Sequence, residues 1–299
     1  VPRPEGLRTS EPPMANAGML RKKRPPSMAM PIVVVYQSVA VFMPAKAPLL
    51  ALSVKILRRR GGDNAIGGLH IRVHLPAMSE ARFLGIDFSG GAGPWRPRCA
   101  KPSVWIASLE VPRLVEQIPV QALPGDGEPF ERLVAHLAEG RFRAGAIDAP
   151  FALPARHMPP GGHAQLLKDI AGLPQADDRP FPRGAALLDY ARRHAPLESA
   201  KPARETERQH AATRSTLWNG VRPGAPFAAA CLTLLARAQR PVWPWKDGPG
   251  MLVEAFPAAQ LKVWGLPHAN YAAAEERKTR AAIVGHLEET RHLMIDAAD

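Results

Sequence analysis

The chain has 299 residues, 46% of them hydrophobic, which is enough for one large folded unit or two small ones. Its 33 prolines and 24 glycines require many loops, and its two cysteines, Cys99 and Cys231, have no metal-site spacing, so free thiols in a reducing, cytoplasmic setting are expected. The formal net charge is +12, but residues 1–77 hold 12 Lys or Arg against 3 Asp or Glu. The rest is close to neutral, which argues against tight general DNA binding by the folded part.

Residues 1–77 show no sustained period. Basic clusters (Arg21 to Arg24, Arg58 to Arg60) flank an apolar patch from Pro31 to Leu57 that Pro44, Lys46, Pro48 and Lys55 interrupt. No stretch reaches the roughly 20 clean apolar residues of a membrane span, so no membrane partner is expected. The segment reads first as an upstream extension before a natural start at Met78. A disordered basic arm and a targeting segment are the other readings.

The stretch Phe83 to Gly91, FLGIDFSGG, reads as a buried strand closed by a small-residue turn, with Asp87 inside it. Ser103 to Glu110 and Leu114 to Leu123 read as two further strands. Gly127 to Gly140 has helical spacing, with Phe130, Leu133, Val134 and Leu137 on one face. Ala144 to Phe151, AGAIDAPF, is another apolar strand, now carrying Asp148. Three sequential strands and then a helical crossover predict an α/β sheet with an antiparallel half and a parallel half.

From about 154 to 240 the chain is proline-rich and polar and reads as an inserted helical lid, with helices over Phe181 to His194 and Phe227 to Gln239. Val253 to Pro257 restores the strand pattern and carries Glu254. Ala258 to Trp264 and Ala272 to Ile295 close the chain as a short and a long helix.

Asp87, Asp148 and Glu254 each accompany an apolar strand, and such carboxylates converge on one sheet edge. Two of them about 4 Å apart repel by roughly 4 kcal/mol at an effective dielectric of 20. A hard cation, Mg²⁺ or Mn²⁺, relieves that repulsion, and it can activate water for phosphodiester hydrolysis. Set against this is the plainer reading that the aspartates cap turns. Arg204 and Glu207 read first as a pair across one helical turn on a solvated face. Trp243 and Trp245 read as packing beneath the lid rather than as stacking platforms.

Five segments, Gly85-Ile86-Asp87, Ala146 to Pro150, Arg204 to Glu207, Val253 to Pro257 and Asp296 to Asp299, resemble the motifs of the domain of unknown function family 429. Its members are predicted nucleases with a ribonuclease H-like fold, and the resemblance covers Phe83 to Asp299. It implies a ribonuclease H-like α/β mixed sheet over 78–299 with a helical insertion, acting as a metal-dependent nuclease on nucleic acid. Carried over by motif, Asp87, Asp148, Glu254 and Asp299 are the catalytic carboxylates. Asp87, Asp148, Glu254 and Asp296 are the ligands of Mg²⁺ or Mn²⁺, and Arg204 and Glu207 join the site. The closing Asp-Ala-x-Asp motif starts a further helix in that family, and this chain stops inside it.

Two rivals stand beside the nuclease. Asp87 to Gly91 also resembles the first phosphate loop of sugar-kinase or actin-like phosphotransferases, which makes Ser89 a substrate-binding candidate. No second glycine-rich phosphate loop accompanies it in the sequence. The other rival is a non-catalytic binding module of the same fold. Oligomeric state is left open.

Overall fold

The computed structural model describes residues 82–198, 202–210, 215–220, 224–269, 271 and 275–291. The expectations for residues 1–77, for Met78 as a start, and for Asp296 and Asp299 therefore lie outside the described residues. Within them the chain is an α/β protein with a five-stranded mixed sheet and seven α-helices.

Strands β1 (Arg82–Asp87), β2 (Trp105–Glu110) and β3 (Arg113–Pro119) form an antiparallel meander, and β4 (Ala144–Ile147) and β5 (Met251–Glu254) run parallel to β1. The order across the sheet is β3-β2-β1-β4-β5. Helix α1 (Pro129–Glu139) supplies the crossover that a parallel partner for β1 needs. It ends where Gly140 takes a left-handed φ of 65°. The third strand is shorter than its sequence pattern suggests, because Val120–Ala122 turns into a 3₁₀ segment immediately after Pro119.

Between β4 and β5 lie α2 (Gly162–Ala171), α3 (Gly184–His194), α4 (Glu205–Gln209) and α5 (Ala225–Ala238), followed after β5 by α6 (Pro257–Val263) and α7 (Arg277–Arg291). The expected lid is no peripheral cover. Its helices build the main core against one sheet face. Leu84, Ile86, Ile106, Ile147 and Leu252 from the strands meet Phe130, Leu133 and Leu137 of α1, Leu166 and Ile170 of α2, Leu187 of α3 and most of α5. Helix α5 is apolar nearly all round because it packs on α1, α2 and α3 and is buried along its length.

The opposite face is thinner. Leu109 packs with Leu261 of α6 and Ile283 and Leu287 of α7, and beside them the small residues Ala146, Val253 and Ala255 form their own cluster. No helix among the described residues is long and apolar enough to cross a membrane.

Candidate active site

The sheet register decides which carboxylates meet. Ile86, Ile147 and Glu254 are in-register neighbours, and the next row is set by the Asp148 amide donating to the Ile86 carbonyl at 3.0 Å. Asp87 and Asp148 therefore stand side by side, one residue beyond Ile86 and Ile147. Adjacent strands lie roughly 4.8 Å apart, and in-register neighbours point to the same face. That face is the thin one, where Ala146 and Ala255 sit. Glu254, one row back, belongs to the row of Ile147 and Ile86 and points to the thick face.

Glu254 is consequently partnered in a way its sequence pattern did not suggest. Arg204 grips it bidentately, Nη1 to Oε2 at 2.7 Å and Nη2 to Oε1 at 2.6 Å, and the Phe151 amide donates to Oε2 at 2.9 Å. The Arg204 Nε also donates to Glu207 at 2.9 Å. Glu207 is 6% exposed. It accepts from the Arg204 amide at 2.9 Å, the Thr216 amide at 3.2 Å and the Thr216 hydroxyl. The expected solvated helical pair is therefore a buried network of one guanidinium and two carboxylates, in which every carboxylate oxygen is hydrogen-bonded. It joins β5, α4 and the strand-end turn that begins at Asp148.

These groups surround a cleft of about 690 Å³, lined by Asp87, Asp148, Glu254, Arg204 and Arg179, with Phe227, Phe256 and Tyr271 among its walls. Burial pushes the Asp87 carboxyl up to about 7. Tyr271 is held protonated well above the ordinary phenol range, first by burial and then by the negative charges of Asp148 and Asp87, which puts its hydroxyl within their field. The Arg179 charge is largely answered by Asp178, to which it donates from Nε at 3.0 Å and Nη2 at 2.7 Å.

The glycine turn after Asp87 is in place at the cleft. The Gly91 amide donates to the Ser89 hydroxyl oxygen at 3.3 Å, and the Trp95 indole donates to the Ser89 carbonyl at 2.9 Å. Gly90 lies directly on the start of α5. A Cβ there would sit 2.4 Å from the Phe227 Cα, so no side chain fits.

One expectation fares differently at the periphery. Trp243 and Trp245 are half exposed, at 50% and 47%, rather than packed under a lid. Trp245 stacks on His163, with ring centroids 3.7 Å apart and the planes 4° from parallel. The His163 Nε2 donates to the Phe151 carbonyl at 2.8 Å, and burial lowers its pKa. Tyr271 and Thr216 had no sequence signal, since they stand in irregular segments far from the aspartates in the chain, whereas Phe256 lies in the Val253 to Pro257 motif.

Among the described residues, no three His, Cys, Asp or Glu side chains come together as a ready metal cage. The pair Asp87 and Asp148 still fits Mg²⁺, which is commonly held by one or two carboxylates with water and substrate phosphate completing its shell. In comparisons with protein-family models, with curated proteins and with solved structures, nothing matches this chain.

Proposed function

We propose that the protein is a metal-dependent phosphodiesterase acting on nucleic acid, built on a ribonuclease H-like sheet. The observation that carries this reading is the pair Asp87 and Asp148 at the ends of adjacent parallel strands, in a cleft where burial raises Asp87 to about 7. A carboxylate so destabilised in its charged form is stabilised by a divalent cation. Three antiparallel strands followed by two parallel ones, and the motif resemblance to the domain of unknown function family 429, support the same reading.

Four carboxylates of the cleft lining (Asp87, Asp148, Glu207 and Glu254) face two guanidiniums, so an unescorted phosphate is repelled. Asp87 and Asp148 would hold the cation, which when bound would supply charge neutralisation and an activated water. Arg204 keeps the two N–H groups that its bonds to Glu207 and Glu254 leave over, at the cleft wall, for a phosphate oxygen. Glu254 acts through others. By holding Arg204 and the Phe151 amide it fixes the turn that carries Asp148. Tyr271 keeps a hydroxyl proton at the level of the two aspartates and can donate it to a substrate oxygen.

The test pairs melting curves with and without Mn²⁺ with cleavage of a labelled oligonucleotide. Wild type should gain several degrees with Mn²⁺ and cleave. Asp148→Asn should lose both effects while its metal-free melting temperature stays level or rises. A wild type that neither gains stability with Mn²⁺ nor cleaves would sink the proposal, and a parallel titration with Mg-ATP separates it from the phosphotransferase reading.

A further inference from the structure

The loop between β1 and β2 starts and ends at the carboxylate edge of the sheet, because Asp87 is in register with Trp105. From Phe88 to Leu109 it and the strand that follows contain no Asp or Glu, while Arg96, Arg98 and Lys101 are all exposed. Among the described residues none of the three forms an ion pair. The loop is also built rather than merely charged. Trp95 is buried in an aromatic cluster, 5.0 Å from the Phe130 ring and 5.2 Å from the Phe88 ring, and its indole is tied to the Ser89 carbonyl. The Gln121 amide, in the 3₁₀ segment after β3, then clamps the backbone, donating to the Pro94 carbonyl at 2.6 Å and the Arg96 carbonyl at 3.3 Å.

We infer that this loop is a cationic ledge that receives the backbone of a single-stranded nucleic acid and leads it into the cleft. The inference rests on the phosphodiesterase reading and names its substrate class. The cleft is rich in carboxylates and offers a polyanion little attraction of its own, so long-range attraction has to come from beside it. The ledge starts on the same sheet edge as Asp87, with its backbone held at Pro94 and Arg96 and its three cations unpaired among the described residues. Inside the cleft, Phe227, Phe256 and Tyr271 are half-buried aromatic walls, which only unstacked bases can reach. Cations tracking the phosphates and aromatic faces taking bases are the two parts of a single-strand site. A duplex keeps its bases stacked and could use the ledge alone.

The experiment measures binding of a labelled twelve-nucleotide strand to the full chain by anisotropy, in EDTA, over a series of salt concentrations. Metal and turnover are absent, so the result is independent of whether the carboxylate pair cleaves. The basic residues before Ala77 contribute equally to every protein compared. Replacing Arg96, Arg98 and Lys101 together by Ala should weaken binding at least ten-fold at low salt and reduce the slope of log K against log salt by about 2. The charge-keeping variant Arg96→Lys with Arg98→Lys should retain both, and matching melting temperatures confirm that each protein is folded. Wild-type affinity and slope in the triple Ala variant would overturn the ledge. So would equal wild-type affinity for a blunt duplex, or equal losses for a poly-glutamate peptide, since either would mean a general anion patch.

Discussion

The two faces of the sheet are built from different materials. One is covered by α1, α2, α3 and α5 with large aliphatic and aromatic side chains. The other carries Ala146, Val253 and Ala255 near the edge where Asp87 and Asp148 stand, and α6 and α7 make a smaller cluster further back. Large side chains fill the first face to the density that sets fold stability. Small ones on the second leave room for Asp87, Asp148 and whatever sits between them. The alternation of a strand thus separates two tasks, and one residue's step along β5 moves a carboxylate from one to the other.

The sharpest way to break this comparison is at Arg204, where the thick side meets the edge. Arg204→Ala leaves Glu207 and Glu254 without their shared cation and should cost about 3–5 kcal/mol in a denaturant titration. A loss below about 1 kcal/mol would mean the network is dispensable. Leu234→Ala, in the fully buried middle of α5, should cost about 2–5 kcal/mol. Val253→Ala on the thin face should cost only about 1–2. Equal losses for the two would erase the distinction between the faces.

Asp87 gives the comparison a pH signature. Its folded carboxyl is raised from 3.8 to about 7, so between those values the metal-free folded chain keeps a proton that the unfolded chain has lost. Stability therefore falls as pH rises from about 4 to about 7 and is level above. The three-unit rise corresponds to at most about 4 kcal/mol, and water reaching the cleft reduces this to about 2. Asp87→Asn should flatten the slope in EDTA, and an unchanged slope would assign it to another group. The smallest effect is expected at the rim of the thick side. Trp245→Ala removes a half-exposed ring and should cost about 1 kcal/mol. It also uncovers His163, whose pKa should rise toward the ordinary imidazole value in an NMR titration.

Much of this arrangement was legible in the sequence, and the limits have physical reasons. Asp87 and Asp148 stand out because a carboxylate at the end of an apolar strand is costly unless it has a task. The meander and the crossover followed from strand, strand, strand, helix, strand. Glu254 looked equivalent to the two aspartates because strand patterns give position along the edge, while its face depends on pairing between strands more than a hundred residues apart. Its grip by Arg204, fifty residues away, is likewise a tertiary fact. Helix α2 was missed since it is short and opens on Gly161 and Gly162. The Arg96 to Lys101 ledge was hidden by averaging: a near-neutral total for the folded part conceals a local excess.

The close approach at Gly90 ties two of these parts together mechanically. Backbone rests on backbone there, with the turn after Asp87 against the first residues of α5 and no side chain between them to yield. Contacts between flexible side chains absorb small movements, whereas a backbone contact transmits them. A shift of α5 by a fraction of an ångström is therefore passed to the turn behind Asp87, and the spacing between the two aspartates becomes a readout of how the inserted helices sit. Grafting a different insertion between β4 and β5 would retune that spacing even if every residue of the cleft were kept.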